Sequence, residues 1–177
     1  MWALVESNNV TQVYTRPKAL TIGNVNYPSN IFSMWTSSEL EAIGIYEVVI
    51  NNANYKNKKY YTNTDQSFAF ADSTVTATYG TATAKTLNNL KVEHKKIINS
   101  QAAGILKDTD WMVIRATEGG TAVPSNTTTK RAAVRTKANA MCTQIDNAAN
   151  VDALAALYVY NNEDPSVRPL GELPLVD

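Results

Sequence analysis

The feature that most constrains the fold is a change in sequence pattern near Gly80. Before it, short apolar runs alternate with turn-forming Asn, Asp, Gly and Pro residues, a pattern typical of short β-strands. After it, apolar residues recur at helical spacing, a pattern typical of amphipathic helices. We therefore predict an α+β chain in three parts: a β-rich docking module over residues 1–80, a helical module over residues 81–160 and an extended, acidic, proline-containing tail over residues 161–177.

The N-terminal module is predicted to be a small antiparallel meander of hairpins with one short helix. Its first turns are indicated by Ser7-Asn8-Asn9 and by Gly23-Asn24, which separate apolar runs at hairpin spacing. The short helix is expected to begin at a capping box formed by Ser38 and Glu41 and to end at Gly44. The predicted strands cover residues 2–6, 10–15, 19–22, 25–27, 45–50, 60–61, 68–70 and 75–79.

The helical module is predicted to be an antiparallel pair of long helices followed by a short third helix. The predicted helices cover residues 83–106, 127–146 and 151–157. Ile97 lies among the apolar positions of the first long helix, and Val134 and Met141 lie among those of the second. If these residues form the contact between the helices, an aspartate at Ile97 or Val134 would destabilise the fold by about 3–5 kcal/mol, because it would bury an unpaired charge.

Composition excludes several classes of function. Lys plus Arg and Asp plus Glu both total 16, so the chain has no positive excess for binding nucleic-acid phosphates. The single His94 and the single Cys142 exclude multi-histidine metal sites, cysteine-rich zinc sites and an internal disulfide framework. No apolar run approaches the roughly 20 residues that span a bilayer. We predict no catalytic, cofactor-binding or metal-binding residues, no small-molecule substrate, and no nucleic-acid or membrane partner.

The reactive side chains of the helical module are expected to have structural roles. His94 is expected to pack at the seam between the helices rather than to act in catalysis or metal binding. Cys142 is expected to be a small buried hydrophobic residue; the alternative, a reactive thiol, requires solvent access and a nearby cation. The pair Asp108 and Asp110 resembles a cation site but supplies too few oxygen ligands, so a helix-terminating, N-capping role is favoured.

The segment after the first long helix contains Trp111, whose ring is expected to lock the loop against the two helices. The alternative is that Trp111 is an interface anchor. Arg131 and Arg135 belong to a predicted basic face that also includes Lys130 and Lys137. This face is either solvated, or a docking surface for the acidic tail of the same or a neighbouring chain, or, as a third alternative, a DNA contact. The predicted interface candidates are Trp111, Arg131, Arg135, Ile97, Val134 and Met141.

The helical module also carries a resemblance to a known family. A helix ends in a leucine, an Asp-Trp pair follows, and a proline-containing loop leads to a helix with the spacing Arg-x-x-x-Arg; the residues are Leu106, Asp110, Trp111, Arg131 and Arg135. This pattern resembles the C-terminal helical segment of tailed-phage tail-fibre assembly chaperones, although Lys130 stands where that segment has an aromatic residue. Residues 1–10 are similar to the starts of small phage proteins encoded among tail genes.

The resemblance implies a role in phage morphogenesis. We expect a non-enzymatic structural component of a tailed-phage virion, at the tail, baseplate or tail-fibre attachment, that acts through protein–protein interfaces and forms a homo-oligomer. Its expected partners are other phage structural proteins of the tail, fibre or capsid. Its expected location is the virion, with the host cytoplasm during assembly. The alternatives are a tail-fibre assembly chaperone that is not retained in the virion and a capsid decoration protein.

Overall fold

The computed structural model describes residues 1–175, so the last two residues of the predicted tail lie outside the described residues. The described chain consists of two compact units, one over Met1–Thr83 and one that begins at Ala84. The first unit is built mainly of β-strands with short helices, and the second is built of helices. The predicted α+β class, with a β-rich N-terminal part followed by helices, is confirmed.

Most strands of the first unit belong to one sheet. The elements of this unit are β1 (Trp2–Glu6), β2 (Asn9–Tyr14), β3 (Leu20–Ile22), β4 (Val25–Tyr27), α1 (Ile31–Met34), α2 (Ser37–Ala42), β5 (Ile45–Asn51), β6 (Tyr61–Thr62), β7 (Gln66–Ala71) and β8 (Thr74–Tyr79), with β9 (Thr83–Ala84) at its end. The sheet has the order β2-β1-β5-β8-β7, and β3 pairs with β4. Its neighbouring strands are antiparallel except β5 and β8, which run parallel with Val48 opposite Val75.

Two hairpins of the sheet are closed by two-residue turns with left-handed backbones. Ser7 and Asn8 have φ angles of 50° and 62°, and Asp72 and Ser73 have φ angles of 49° and 57°. Positive φ at both central residues gives a turn whose twist matches that of the flanking strands. Short polar side chains tolerate this conformation better than branched ones do. The β1–β2 hairpin predicted from the Ser7-Asn8-Asn9 segment is therefore confirmed.

The capping box of helix α2 lies two residues earlier than predicted. Thr36, not Ser38, is the N-cap, and its Oγ1 accepts a hydrogen bond from the Glu39 backbone N–H at 3.3 Å. The Glu39 carboxylate in turn accepts from the Thr36 backbone N–H at 2.8 Å. The sequence contains two overlapping frames with this spacing, and the extended backbone of Thr36 selects the first. The predicted box of Ser38 and Glu41 is wrong.

Gly44 ends the α2 segment, as predicted. Its φ angle is 81°, and its N–H donates to the Glu41 carbonyl at 2.9 Å. A Cβ atom at this position would lie 2.9 Å from the Val5 carbonyl oxygen, so the close approach of strand β1 also requires glycine.

The first unit has apolar clusters on both faces of its sheet. Because side chains alternate along a strand, the adjacent residues Ala3 and Leu4 of β1 belong to different clusters. The cluster packed with the short helices contains Leu4, Tyr14, Leu20, Ile31, Phe32, Leu40 and Ile45. The other cluster contains Ala3, Val48, Val75 and Ala77. The edge strands β2 and β7 approach each other, which indicates that the sheet curls around this second cluster.

The second unit is organised around two long helices. Its elements are α3 (Leu87–Lys107), α4 (Asp110–Thr117), α5 (Ser125–Asn147) and α6 (Val151–Ala156). Lys91 near the start of α3 donates to the Asp146 carbonyl near the end of α5 at 2.8 Å. Helices α3 and α5 are therefore antiparallel, as predicted. The Asn150 side chain accepts from the Ala153 N–H at 2.8 Å and caps α6, also as predicted.

The contact face of α3 differs from the prediction at one position. Leu90, His94, Ile98 and Ala102 are buried at four-residue spacing, whereas Ile97 is 48% exposed. Successive helical residues point about 100° apart, so Ile97 and Ile98 cannot both face α5. The placement of Ile97 in the seam is wrong. On α5, Val134 and Met141 are buried as predicted.

The tail packs against the helices of its own chain. Leu170 is completely buried, and its N–H donates to the Leu157 carbonyl at 3.0 Å. Beside it, the side-chain amide of Gln144 donates to the Pro169 carbonyl at 3.4 Å. The acidic Glu172 pairs with Arg168 in the tail itself at 2.8 Å. The segment therefore docks through an apolar anchor, and its extended backbone is part of the helical unit.

The burial pattern predicts unequal effects of aspartate at Val134 and at Ile97. Val134→Asp would place a carboxylate at a completely buried position, so we expect the free energy of unfolding to fall by about 3–5 kcal/mol. Ile97→Asp is the matched control on the facing helix, and we expect a change within about 0.5 kcal/mol. Urea unfolding followed by circular dichroism measures both. Equal losses in the two variants would contradict the assigned helix faces.

Candidate protein interface

Helix α4 presents apolar side chains to solvent. Trp111, Val113 and Ile114 are 53%, 38% and 58% exposed, whereas Met112 and Arg115 are partly buried against the rest of the unit. None of the described α4 residues is fully buried. Trp111 was expected to follow a helix end, whereas it lies within a helix over Asp110–Thr117 that the sequence did not predict. The exposed residues Trp111, Val113 and Ile114 are called the α4 face below.

A buried arginine holds the base of α4 in place. Arg131 of α5 is only 5% exposed. One terminal nitrogen, Nη1, donates to the Leu106 carbonyl at 2.7 Å and to Thr109 Oγ1 at 2.5 Å, and Nη2 donates to Asp110 Oδ1 at 2.7 Å. Its positive charge lies near the C-terminus of α3, where helix carbonyls favour a cation. Arg131 thus links the end of α3, the start of α4 and helix α5.

The far end of α4 is closed by a tight glycine turn. Gly119 has a φ angle of 85°, and the Gly120 N–H donates to the Arg115 carbonyl at 3.0 Å. A Cβ atom on Gly120 would lie 2.8 Å from Arg115 Cγ, so only glycine allows this approach. The Arg115 guanidinium in turn lies 4.8 Å from the centre of the Trp111 ring, a distance at which the cation and the ring attract each other.

The predicted basic face is divided by the fold. Arg135 is exposed, as expected for a solvated or docking face, but Arg131 turns inward and bonds the α3–α4 junction. The placement of Arg131 on an exposed face is therefore wrong. Asp110 and Thr109, predicted as part of a helix-ending segment, supply two of its acceptors.

The remaining interface candidates separate into buried and exposed residues. Val134 and Met141 are 0% and 1% exposed, so they stabilise the core of this chain and we no longer assign them to an interface between chains. Ile97 and Arg135 lie at the surface. The α4 face therefore contains one predicted candidate, Trp111. Its other members, Val113 and Ile114, were not predicted, because the consecutive apolar run to which they belong shows no helical period.

The two reactive residues of the helical module occupy packed positions. His94 is 1% exposed, and its ring centre lies 4.6 Å from that of Tyr158, as expected for a seam residue. Cys142 is half-buried, with Sγ 3.8 Å from Asn99 Oδ1. Burial raises the pKa of its thiol, which opposes formation of the reactive thiolate.

Among residues 1–175, no group of three or more His, Cys, Asp or Glu side chains is arranged to hold a metal ion. None of the helices in the described part of the chain combines the length and the apolar character of a membrane span. No family model matches the chain, and no curated protein or solved structure is significantly similar to it.

The Arg131 cluster predicts a large difference between two arginines on the same helix. Arg131→Ala would leave the Leu106 carbonyl, Thr109 and Asp110 without their shared donor. We expect the free energy of unfolding to fall by about 2–4 kcal/mol. Arg135→Ala, one turn further along α5, is the matched control and should change it by no more than about 0.5 kcal/mol.

Urea unfolding followed by circular dichroism measures this difference. If Arg131→Ala were as stable as Arg135→Ala, the buried cluster would not hold α4 in place, and the assignment of Arg131 as its anchor would be wrong.

Proposed function

We propose that this protein is a non-enzymatic structural component of a tailed-phage virion, at the tail, baseplate or tail-fibre attachment. In this proposal the α4 face is the surface through which it binds other phage structural proteins. The protein would reside in the virion and, during assembly, in the host cytoplasm. Other copies of the same chain are included among the proposed partners, so the assembled form would be a homo-oligomer.

The observation that carries the proposal is the exposure of Trp111, Val113 and Ile114 on a helix that is anchored at both ends. Trp111 and Ile114 are three residues apart and therefore neighbours on the helix surface, and exposed apolar surface of this kind marks interaction sites in water-exposed proteins. Tryptophan in particular contributes strongly to binding where it becomes buried against a partner. A binding role for the α4 face is therefore favoured over a purely internal one.

Rigid anchoring supports a lasting contact. The Arg131 cluster fixes the start of α4, and the Gly119-Gly120 turn fixes its end. A surface that is ordered before binding loses less conformational entropy when a partner covers it. The exposed apolar side chains are thus presented in a form suited to a stable subunit contact.

The family resemblance also involves the segment at the start of α4. Arg131 follows Leu106 and Asp110 by more than twenty residues, yet the Leu106 carbonyl and the Asp110 carboxylate accept hydrogen bonds from its guanidinium. Trp111 directly follows Asp110. Three of the residues that carry the resemblance, Leu106, Asp110 and Arg131, therefore meet at the base of the α4 face, whereas Arg135 is exposed and takes no part in this cluster.

Loss of the α4 face is expected to remove the protein from phage particles. We expect the Trp111→Ser/Ile114→Ser variant to be incorporated at least about tenfold less than wild type, because it lacks the side chains that a partner would bury. Val92→Ser is the matched control, since Val92 is 60% exposed on α3 but lies outside the α4 face.

Mass spectrometry of purified particles measures incorporation, and thermal unfolding establishes that both variants are folded. The wild-type protein should be present at a fixed copy number. Its absence from mature particles would refute the virion proposal, and normal incorporation of the double variant would refute the role of the α4 face.

A tail-fibre assembly chaperone is the second candidate, favoured by the same resemblance. It predicts that the protein binds fibre subunits before assembly and leaves before the particle is complete. Co-expression with the fibre protein should then raise the yield of soluble fibre, and Trp111→Ser/Ile114→Ser should abolish that increase whereas Val92→Ser should not. No change in fibre solubility with the wild-type chain would contradict this candidate.

A further inference from the structure

The β-rich unit contains a polar cleft that the proposed function does not use. It lies between the β1–β2 hairpin and the β3–β4 hairpin and has a volume of about 370 Å³. Its polar lining includes Gln12, Tyr14, Lys18, Thr21 and Asn26. The volume falls at the lower end of the range of about 300–1,000 Å³ that is typical of small-molecule sites.

Internal hydrogen bonds set the orientation of the two amide side chains in the cleft. The buried Tyr14 hydroxyl donates to Gln12 Oε1 at 2.9 Å. The Thr21 hydroxyl donates to Asn26 Oδ1 at 2.7 Å. Each amide oxygen therefore already accepts a bond within the chain. In the part of the chain that the structure describes, neither NH₂ group donates to another protein group, so both remain available as donors.

A cation completes the set of donors. Lys18 Nζ lies 5.1 Å from the centre of the Tyr14 ring, where the ring face attracts an ammonium group. Lys18 is the one charged residue among those that line the cleft within residues 1–175. The cleft therefore offers a ligand amide N–H groups and a positive charge.

We propose that this cleft binds the oxyanion of a small ligand, a carboxylate or a phosphate group. The ionised oxygens of a carboxylate or a phosphate are acceptors, which match donors from Gln12, Asn26 and Lys18. Hydrogen bonds to a charged group are stronger than those between neutral groups, so an anion is favoured over a neutral sugar or alcohol of the same size. The inference is independent of the α4 face and of the proposed role in the virion.

The experiment uses isosteric replacement of the amides. Gln12→Glu and Asn26→Asp keep an oxygen that accepts from Tyr14 or Thr21, but they replace the NH₂ donors with a negative charge. Asn24→Asp is the matched control, because it adds the same charge in the β3–β4 turn outside the lining residues. Glucuronate, inorganic phosphate and neutral glucose are titrated at constant ionic strength, with binding measured by NMR chemical shifts and folding by thermal unfolding.

We expect at least one of the two anions to bind in the millimolar range and glucose not to bind. Gln12→Glu and Asn26→Asp should each weaken anion binding by about tenfold or more, whereas Asn24→Asp should leave it nearly unchanged. Binding of phosphate and glucuronate alike would identify the oxyanion itself as the recognised group, and binding of glucuronate alone would identify a carboxylate-bearing sugar.

Other outcomes would overturn the proposal. These are the absence of binding by both anions, equal binding of glucose, or equal effects of Asn24→Asp and Asn26→Asp.

Discussion

The structure of the helical unit depends on the burial of one charge, the guanidinium of Arg131. A buried cation is unfavourable unless its donors are satisfied, and Arg131 meets this condition through the Leu106 carbonyl, Thr109 and Asp110. Because a guanidinium presents its donors in a rigid plane, these acceptors cannot shift independently of one another. The end of α3 and the start of α4 are therefore fixed relative to α5, and the position of Trp111 is fixed with them.

Sequence reasoning succeeded where structure is determined by neighbouring residues. The left-handed turn at Ser7 and Asn8 and the cap at Asn150 follow from local backbone preferences. Structure that depends on contacts between distant segments was harder to predict. The parallel pairing of β5 with β8 joins strands separated by more than twenty residues, and no turn signal encodes it. The choice of Thr36 over Ser38 as a cap was likewise made by the path of the chain before the helix.

The candidate interface was only partly predictable for the same reason. Trp111 was identified from its place after a helix, but its apolar run is too short to display a helical period. Charge patterning grouped Arg131 with Arg135, and it could not indicate which of them turns inward, because that depends on acceptors supplied by the α3–α4 junction. Periodicity placed Ile97 in the contact between the helices, but its neighbour Ile98 is the residue that is fully buried there, and the packing of the helical unit makes that choice.

The chemistry of both proposed surfaces depends on which polar groups already form hydrogen bonds inside the chain. At the base of α4, the Arg131 donors are used internally, and the side chains that the helix exposes include the apolar Trp111, Val113 and Ile114. In the cleft, Gln12 and Asn26 use their oxygens internally and keep their N–H donors outward. The net charge of zero is compatible with either surface. The direction of individual hydrogen bonds, rather than overall composition, therefore determines which surface suits an apolar partner and which suits an anion.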